Sequence, residues 1–267
     1  MLKLLLIGGG KMGEALLGGL LAAGWATPGE IGVVEKLSAR RAQLAAAYPG
    51  VAVVEDVVAC DAALLAVKPN DMAAACGALA DGTLRPSRIL SIAAGVTTSA
   101  IEAAFSVGAM PAVVRAMPNT PALVGAGVAA IAAGSAAGAG DLAWAEAILG
   151  SVGTVVQVSE GQLDAVTGLS GSGPAYVFLV AEALIEAGVL VGLARPIATQ
   201  LAVGTIAGAA ALMTSSNRSP GELRGDVTSP GGTTAAGLRA LEDRAVRAAF
   251  LAAVAAATER SVELGQA

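Results

Sequence analysis

Seven short apolar runs, each followed by a glycine, proline or polar turn, constrain the first 159 residues more than any other feature. They are Lys3–Ile7, Ile31–Val34, Ala62–Val67, Arg88–Ile92, Ala112–Ala116, Val128–Ala132 and Thr154–Val158. Helix-forming stretches lie between them, notably Ser38–Ala47, Asp71–Leu79 and a segment around Leu142–Leu149. Fully apolar strands alternating with helices predict a mostly parallel sheet covered on both faces, with its ligand crevice beyond the carboxyl ends of the strands. From Glu160 onward the strand-like runs vanish. Gly161–Val166, Gly173–Val191, Arg195–Met213, Thr233–Leu241 and a segment from Val246 read as helices, the last with Val246, Phe250 and Val254 at four-residue spacing. The reading is an α/β domain over 1–159 and an all-α domain over 160–267.

The first run opens onto Gly8-Gly9-Gly10-Lys11-Met12-Gly13 and then a helical pattern. Strand, glycine turn and helix is the setting a G-x-G-x-x-G dinucleotide fingerprint requires. Gly8 would allow the tight turn, Gly10 would let a pyrophosphate approach the backbone, and Gly13 would let the helix pack on the strand. The second run ends at Glu35, where a carboxylate suits the ribose hydroxyls of NAD and repels the 2′-phosphate of NADP. Lys36, Arg40 and Arg41 follow at once and could offset that repulsion, so NADPH and NADH both stay open. Lys68, Gly95 and Asn119 each follow a strand and are expected along the crevice.

Composition narrows the chemistry. The 267-residue chain has no histidine, which excludes a Ser-His-Asp triad and histidine-ligated zinc, and no metal site is expected. A net charge of −5 with no basic stripe argues against nucleic acid. Cys60 and Cys76 have no metal or redox spacing and fit buried thiols in a reducing cytoplasm. Met1–Ile7 is too short for a signal-peptide core. The uncharged stretch Pro196–Asn217 raises a transmembrane question, but polar residues interrupt it and no aromatic belt flanks it, so a buried or interface helix is expected. The second half is rich in Ala and Gly, which permits close helix approach and suggests a dimer of helices.

Thr228–Thr234, running into Ala235–Glu242, reads as a helix start with nearby hydroxyls. It is either a plain cap or a site for a small carboxylate or phosphate. Asp164–Tyr176 reads as a glycine- and serine-rich break between two helices.

Six segments together resemble the pyrroline-5-carboxylate reductase family: GGGKMGEA at 8–15, AVKP at 66–69, SIAAGV at 91–96, MPNTP at 117–121, DAVTGLSGSGPAY at 164–176 and VTSPGGTT at 227–234. The resemblance implies an N-terminal Rossmann domain and a C-terminal helical dimerisation domain that interlocks with a partner subunit, with larger assemblies built from dimers. It implies reduction of 1-pyrroline-5-carboxylate to L-proline with NADPH or NADH, the last step of proline biosynthesis. Carried onto this chain, Gly8, Gly9, Gly10, Lys11, Met12 and Gly13 would hold the pyrophosphate, with Glu35 and Lys36 also at the cofactor. Ala66, Val67, Lys68 and Pro69 would lie along the ribose and nicotinamide, and Ala94, Gly95 and Asn119 would edge the nicotinamide pocket. Ser229, Gly231, Gly232, Thr233 and Thr234 would bind the substrate carboxylate. Thr167 would face the ring nitrogen as the catalytic hydrogen-bond partner. The rival readings are another Rossmann dehydrogenase acting on imines or 3-hydroxyacids, and a protein that senses NAD(P) without catalysis. The hydroxyacid type would be expected to carry a lysine on a long helix, and Gly173–Met213 contains none.

Overall fold

Leu4–Ile7 (β1) has four buried residues in succession, because its alternate side chains enter two different cores. Leu4 and Leu6 join one cluster with Leu16, Leu17 and Leu20 of Lys11–Ala22 (α1); Leu5 and Ile7 join another with Met72, Cys76 and Leu79 of Met72–Ala80 (α3). A strand buried on both faces must be central, and β1 is. The computed structural model describes residues 1–82, 85–105 and 108–266.

The sheet contains Ile31–Val34 (β2), Ala52–Val54 (β3), Ala62–Leu65 (β4), Arg88–Ser91 (β5), Ala112–Met117 (β6), Gly127–Ala133 (β7) and Gly153–Gln157 (β8) besides β1. Its order is β3-β2-β1-β4-β5-β6-β7-β8. The first six strands are parallel in the doubly wound order that leaves a switch point between β1 and β4. β7 runs antiparallel to β6, and β8 parallel to β7. The reversal follows from chain length. Only Pro118–Ala126 separates β6 from β7, less than the dozen or so residues a parallel crossover needs, and Gly125 turns the chain with φ +72°. Ser38–Ala47 (α2), Thr98–Ala103 (α4) and Ala139–Leu149 (α5) complete the layers.

The expected strands and helices occur, with ends displaced by a few residues. β3, α4 and a later short helix were not anticipated. The expected break at Asp164–Tyr176 is absent: Leu163–Val166 (α6) continues through a π-helical turn, Thr167–Gly171, into Gly173–Leu190 (α7). Both cysteines are free and buried, and burial with the neighbouring Asp61 pushes the Cys60 thiol up to about 11.

Compactness divides the chain into Met1–Ser172 with the segment from Ala255 onward, and Gly173–Val254. The texture change at 159/160 is therefore not where the compact units part. Leu163 and Val166 pack against Ala130 and Ala132 of β7, which holds α6 in the first unit.

The second unit contains α7, Arg195–Ser215 (α8), Pro220–Asp226 (α9), Thr233–Asp243 (α10) and the beginning of Val246–Gln266 (α11). Gly192, at φ +99°, ends α7, and Leu193 N–H donates to Gly188 O. Gly188 lets α8 come close, since a Cβ there would sit 2.9 Å from that of Ala198. Among its described residues only Ala198 and Ala202 are buried hydrophobics, while Phe178, Leu179, Leu201, Phe250 and Leu251 are exposed. Glu160–Leu190 and Arg195–Ser215 are long and apolar enough to cross a membrane by length and composition.

Candidate functional site

A cleft of about 1230 Å3 opens beyond the carboxyl ends of β1, β2, β4 and β5 in the first unit. Its floor explains the glycines. A Cβ on Gly8, at φ +109°, would lie 2.7 Å from Ala66 O, and one on Gly13 would lie 2.2 Å from Gly8 O. A side chain at Gly8 would push on the backbone after β4, and one at Gly13 would move α1 off the glycine turn. Gly10, the cap residue of α1, has nothing within 4 Å of a built Cβ and no side chain capping the helix. The positive end of a 12-residue helix therefore faces open space beside a backbone that a ligand can touch. Gly8, Gly10, Lys11, Met12, Ala66, Val67, Lys68, Pro69 and Ala94 line the cleft, with Glu35 and Lys36 at one end. The close glycine packing, the uncapped helix start and the carboxylate after β2 fit a dinucleotide.

Glu35 is held from two sides: its Oε2 accepts from Gly9 N–H at 3.1 Å and its Oε1 from Leu37 N–H at 2.9 Å. Gly9 thus orients the carboxylate and does not itself line the cleft. Lys36 Nζ bridges to Asp56 at 2.9 Å. Arg40 donates to Gly9 O at 2.8 Å and pairs with Glu14, while Arg41 donates to the carbonyls of Glu35 and Lys36 and pairs with Glu55. Asp56 and Val57, which follow the unanticipated β3, also line this end. Short β3, only partly buried, offered too weak an apolar signal to find them.

Two expected cleft residues lie elsewhere. Gly95, at φ +76°, packs against Leu264 and Gly265 of α11. Asn119, 8% exposed, has both ends of its amide occupied: Nδ2 donates to Ser170 O at 3.1 Å and Oδ1 accepts from Val128 N–H at 2.9 Å. It ties the π-helical turn to the start of β7. The residue four on from Ser170 is Pro174, which has no N–H to give, so the Ser170 carbonyl needs an outside donor. Gly171 packs on Met117, which lines the cleft. Thr167 itself is half-buried and does not line it; its Oγ1 donates to Leu163 O at 2.8 Å.

A second tie holds the chain just ahead of this turn. Glu160 accepts from Thr98 N–H and Thr98 Oγ1, both at 2.7 Å, and from Arg115 at 3.3 Å. Burial alone would raise the Glu160 carboxyl, yet the Thr98 and Arg115 hydrogen bonds bring it below the ordinary value. In the other direction along the chain, Ser261 Oγ of α11 donates to Asp164 Oδ1 at 2.6 Å.

In the second unit, Ser229-Pro230-Gly231-Gly232 turns into α10. Gly232 N–H donates to Ser229 O, Gly231 takes φ +69°, and a Cβ on Gly232 would meet Ser229 Oγ at 2.4 Å. The cap residue is Gly232, and no side chain caps the helix, contrary to the plain-cap reading. Ser229 and Thr233 are exposed and Thr234 half-buried. Asp226 is bound to Arg218, which lowers its carboxyl through the hydrogen bond and the charge of that guanidinium.

Residues 160–264 match the family model described as pyrroline-5-carboxylate reductase dimerisation. Residues 3–95 match that described as NADP oxidoreductase, coenzyme F420-dependent. A pyrroline-5-carboxylate reductase of Synechocystis is 46% identical, over 99% of each chain. The solved pyrroline-5-carboxylate reductase of Coxiella burnetii superposes with a TM-score of 0.91 at 36% identity, over 98% of each chain. That of Plasmodium falciparum, solved with NADP bound, gives 0.80 at 29% identity over 99% of this chain and 98% of its own.

Proposed function

Because this chain belongs to the pyrroline-5-carboxylate reductase family, we propose that it reduces 1-pyrroline-5-carboxylate to L-proline with NAD(P)H, the last step of proline biosynthesis. The observation that carries the reading is the glycine-floored cleft, found in a chain related to these reductases over its whole length. The nucleotide-binding part is assigned to 1–159 and the substrate and dimerisation part to 160–267, which the family matches support.

When bound, the reduced nicotinamide supplies a hydride for the imine carbon. The chain's own work is placement. Gly10 and the uncapped start of α1 hold the pyrophosphate, and Val67, Lys68, Pro69 and Ala94 shape the wall beside it. The uncapped start of α10, with Ser229, Thr233 and Thr234, takes the substrate carboxylate. Thr167 has its hydroxyl proton directed at Leu163 O, so it offers lone pairs. It therefore accepts from the N–H of an already protonated imine, an electrophile that needs no histidine to activate it. Holding two reactants in register supplies roughly 7–11 kcal/mol of barrier lowering in well-oriented systems. The exposed apolar faces of α7, α8 and α11 are covered by a second copy of the chain, and the dimers assemble further in the cytoplasm.

The test is direct. Purified full-length protein is incubated with 1-pyrroline-5-carboxylate and NADH or NADPH, and proline is quantified alongside nicotinamide oxidation. Absence of proline with both cofactors overturns the proposal.

A further inference from the structure

The end of the cleft beyond β2 is built against a phosphate. A 2′-phosphate is a dianion that needs cations or unused N–H groups, and a free 2′-hydroxyl needs an acceptor. Glu35 supplies the acceptor. Its carboxylate is fixed by Gly9 N–H and Leu37 N–H, so it cannot swing aside without leaving both unpaired. The same bond uses the Leu37 N–H that a phosphate would otherwise take.

The neighbouring cations do not compensate. Arg40 is engaged by Gly9 O and Glu14, and Arg41 by two carbonyls and Glu55; neither lines the cleft. Lys36 lines it but is paired with Asp56, which lines it too. This end of the cleft thus presents two carboxylates and one already-paired ammonium.

From this we propose that Glu35, backed by the Lys36–Asp56 pair, makes the chain selective for NADH over NADPH. The proposal rests on the reductase reading for the use of either dinucleotide, and it is tested by binding, separately from turnover. Full-length protein is titrated with NADH and with NADPH by calorimetry at low and high salt. Wild type is expected to bind NADH about tenfold or more tightly than NADPH, with the ratio shrinking as salt screens the repulsion. Glu35→Gln keeps an acceptor for one of the N–H groups and removes the charge, and should cut the ratio about tenfold by strengthening NADPH. Asp56→Asn releases Lys36 without touching the Gly9–Glu35 contact, and should strengthen NADPH alone. Equal or tighter NADPH binding by wild type, or a ratio unmoved by both substitutions, overturns the selectivity while proline formation still stands. Failure to bind either dinucleotide overturns the cofactor reading itself.

Discussion

Asn119→Ala separates a clamp from a cofactor contact. Removing the amide leaves Val128 N–H and Ser170 C=O without their partners at a site only 8% exposed. Each such group costs about 1–3 kcal/mol, and the second lone pair of a carbonyl softens one of them, so about 3 kcal/mol is expected. Urea unfolding should show this as a lower midpoint with an unchanged slope. Release of Ser170 also loosens the turn that begins at Thr167, so kcat should fall about tenfold or more while the dissociation constants of NADH and NADPH hold within about twofold. Asn119→Asp is informative because it keeps an acceptor for Val128 N–H but turns a second carboxylate oxygen on Ser170 O. It should be no better than Ala. If stability is unchanged and dinucleotide affinity falls tenfold or more, the clamp is wrong and Asn119 belongs to the nicotinamide pocket.

Thr167→Ala should lower kcat between about ten- and a few hundred-fold, and Thr167→Ser should restore most of it; steady-state kinetics at saturating cofactor check both. Ser229→Ala or Thr234→Ala should raise the KM for 1-pyrroline-5-carboxylate far more than that for the cofactor, since ground-state anchoring is lost; an unchanged substrate KM would remove the loop from substrate binding. The Glu160 carboxyl is lowered by folding, so its contribution is present above the unfolded value of about 4.3 and is lost as pH falls through its lower folded value. Glu160→Gln should therefore flatten the urea midpoint against pH below about pH 5, and cost about 2–3 kcal/mol at neutral pH by leaving the nearly buried Arg115 unpaired. A variant with the wild-type acid slope would remove Glu160 from that role.

Sequence served best where one residue type alone meets a backbone demand. Gly8 and Gly13 were legible because contacts under 3 Å leave no room for a side chain, and that demand recurs in every such strand-turn-helix. Strands β1, β2 and β4 were legible as unbroken apolar runs. Asn119 was not, because its partners, Ser170 O and Val128 N–H, lie on other segments and no local pattern announces those contacts. The glycines and serines of Asp164–Tyr176 suggested a break because helical periodicity does not announce the one extra residue of a π turn. In α9 the signal existed and passed unused: Ser219 and Glu222 form a capping box around Pro220, three residues apart as such boxes require. At α10 the hydroxyls drew attention as caps, whereas the glycine between them takes the cap and leaves the helix end open. Arg40 and Arg41 could be placed near Glu35 from sequence, but their acceptors lie on other segments, so their commitment was invisible.

Helix α11 begins in the second unit and ends in the first, where Ser261 meets Asp164 and Gly265 meets Gly95. The first unit is thus assembled from two segments far apart in the sequence. During synthesis the eight strands emerge well before the residues from Ala255 onward, and domains tend to fold as they emerge. The sheet can form early, but the surface around Asp164 and Gly95 waits for the last turns of α11. A ribosome-bound intermediate stalled before Ala255 should leave that surface accessible to proteolysis and to chaperones, and release of the last helix is what would close it.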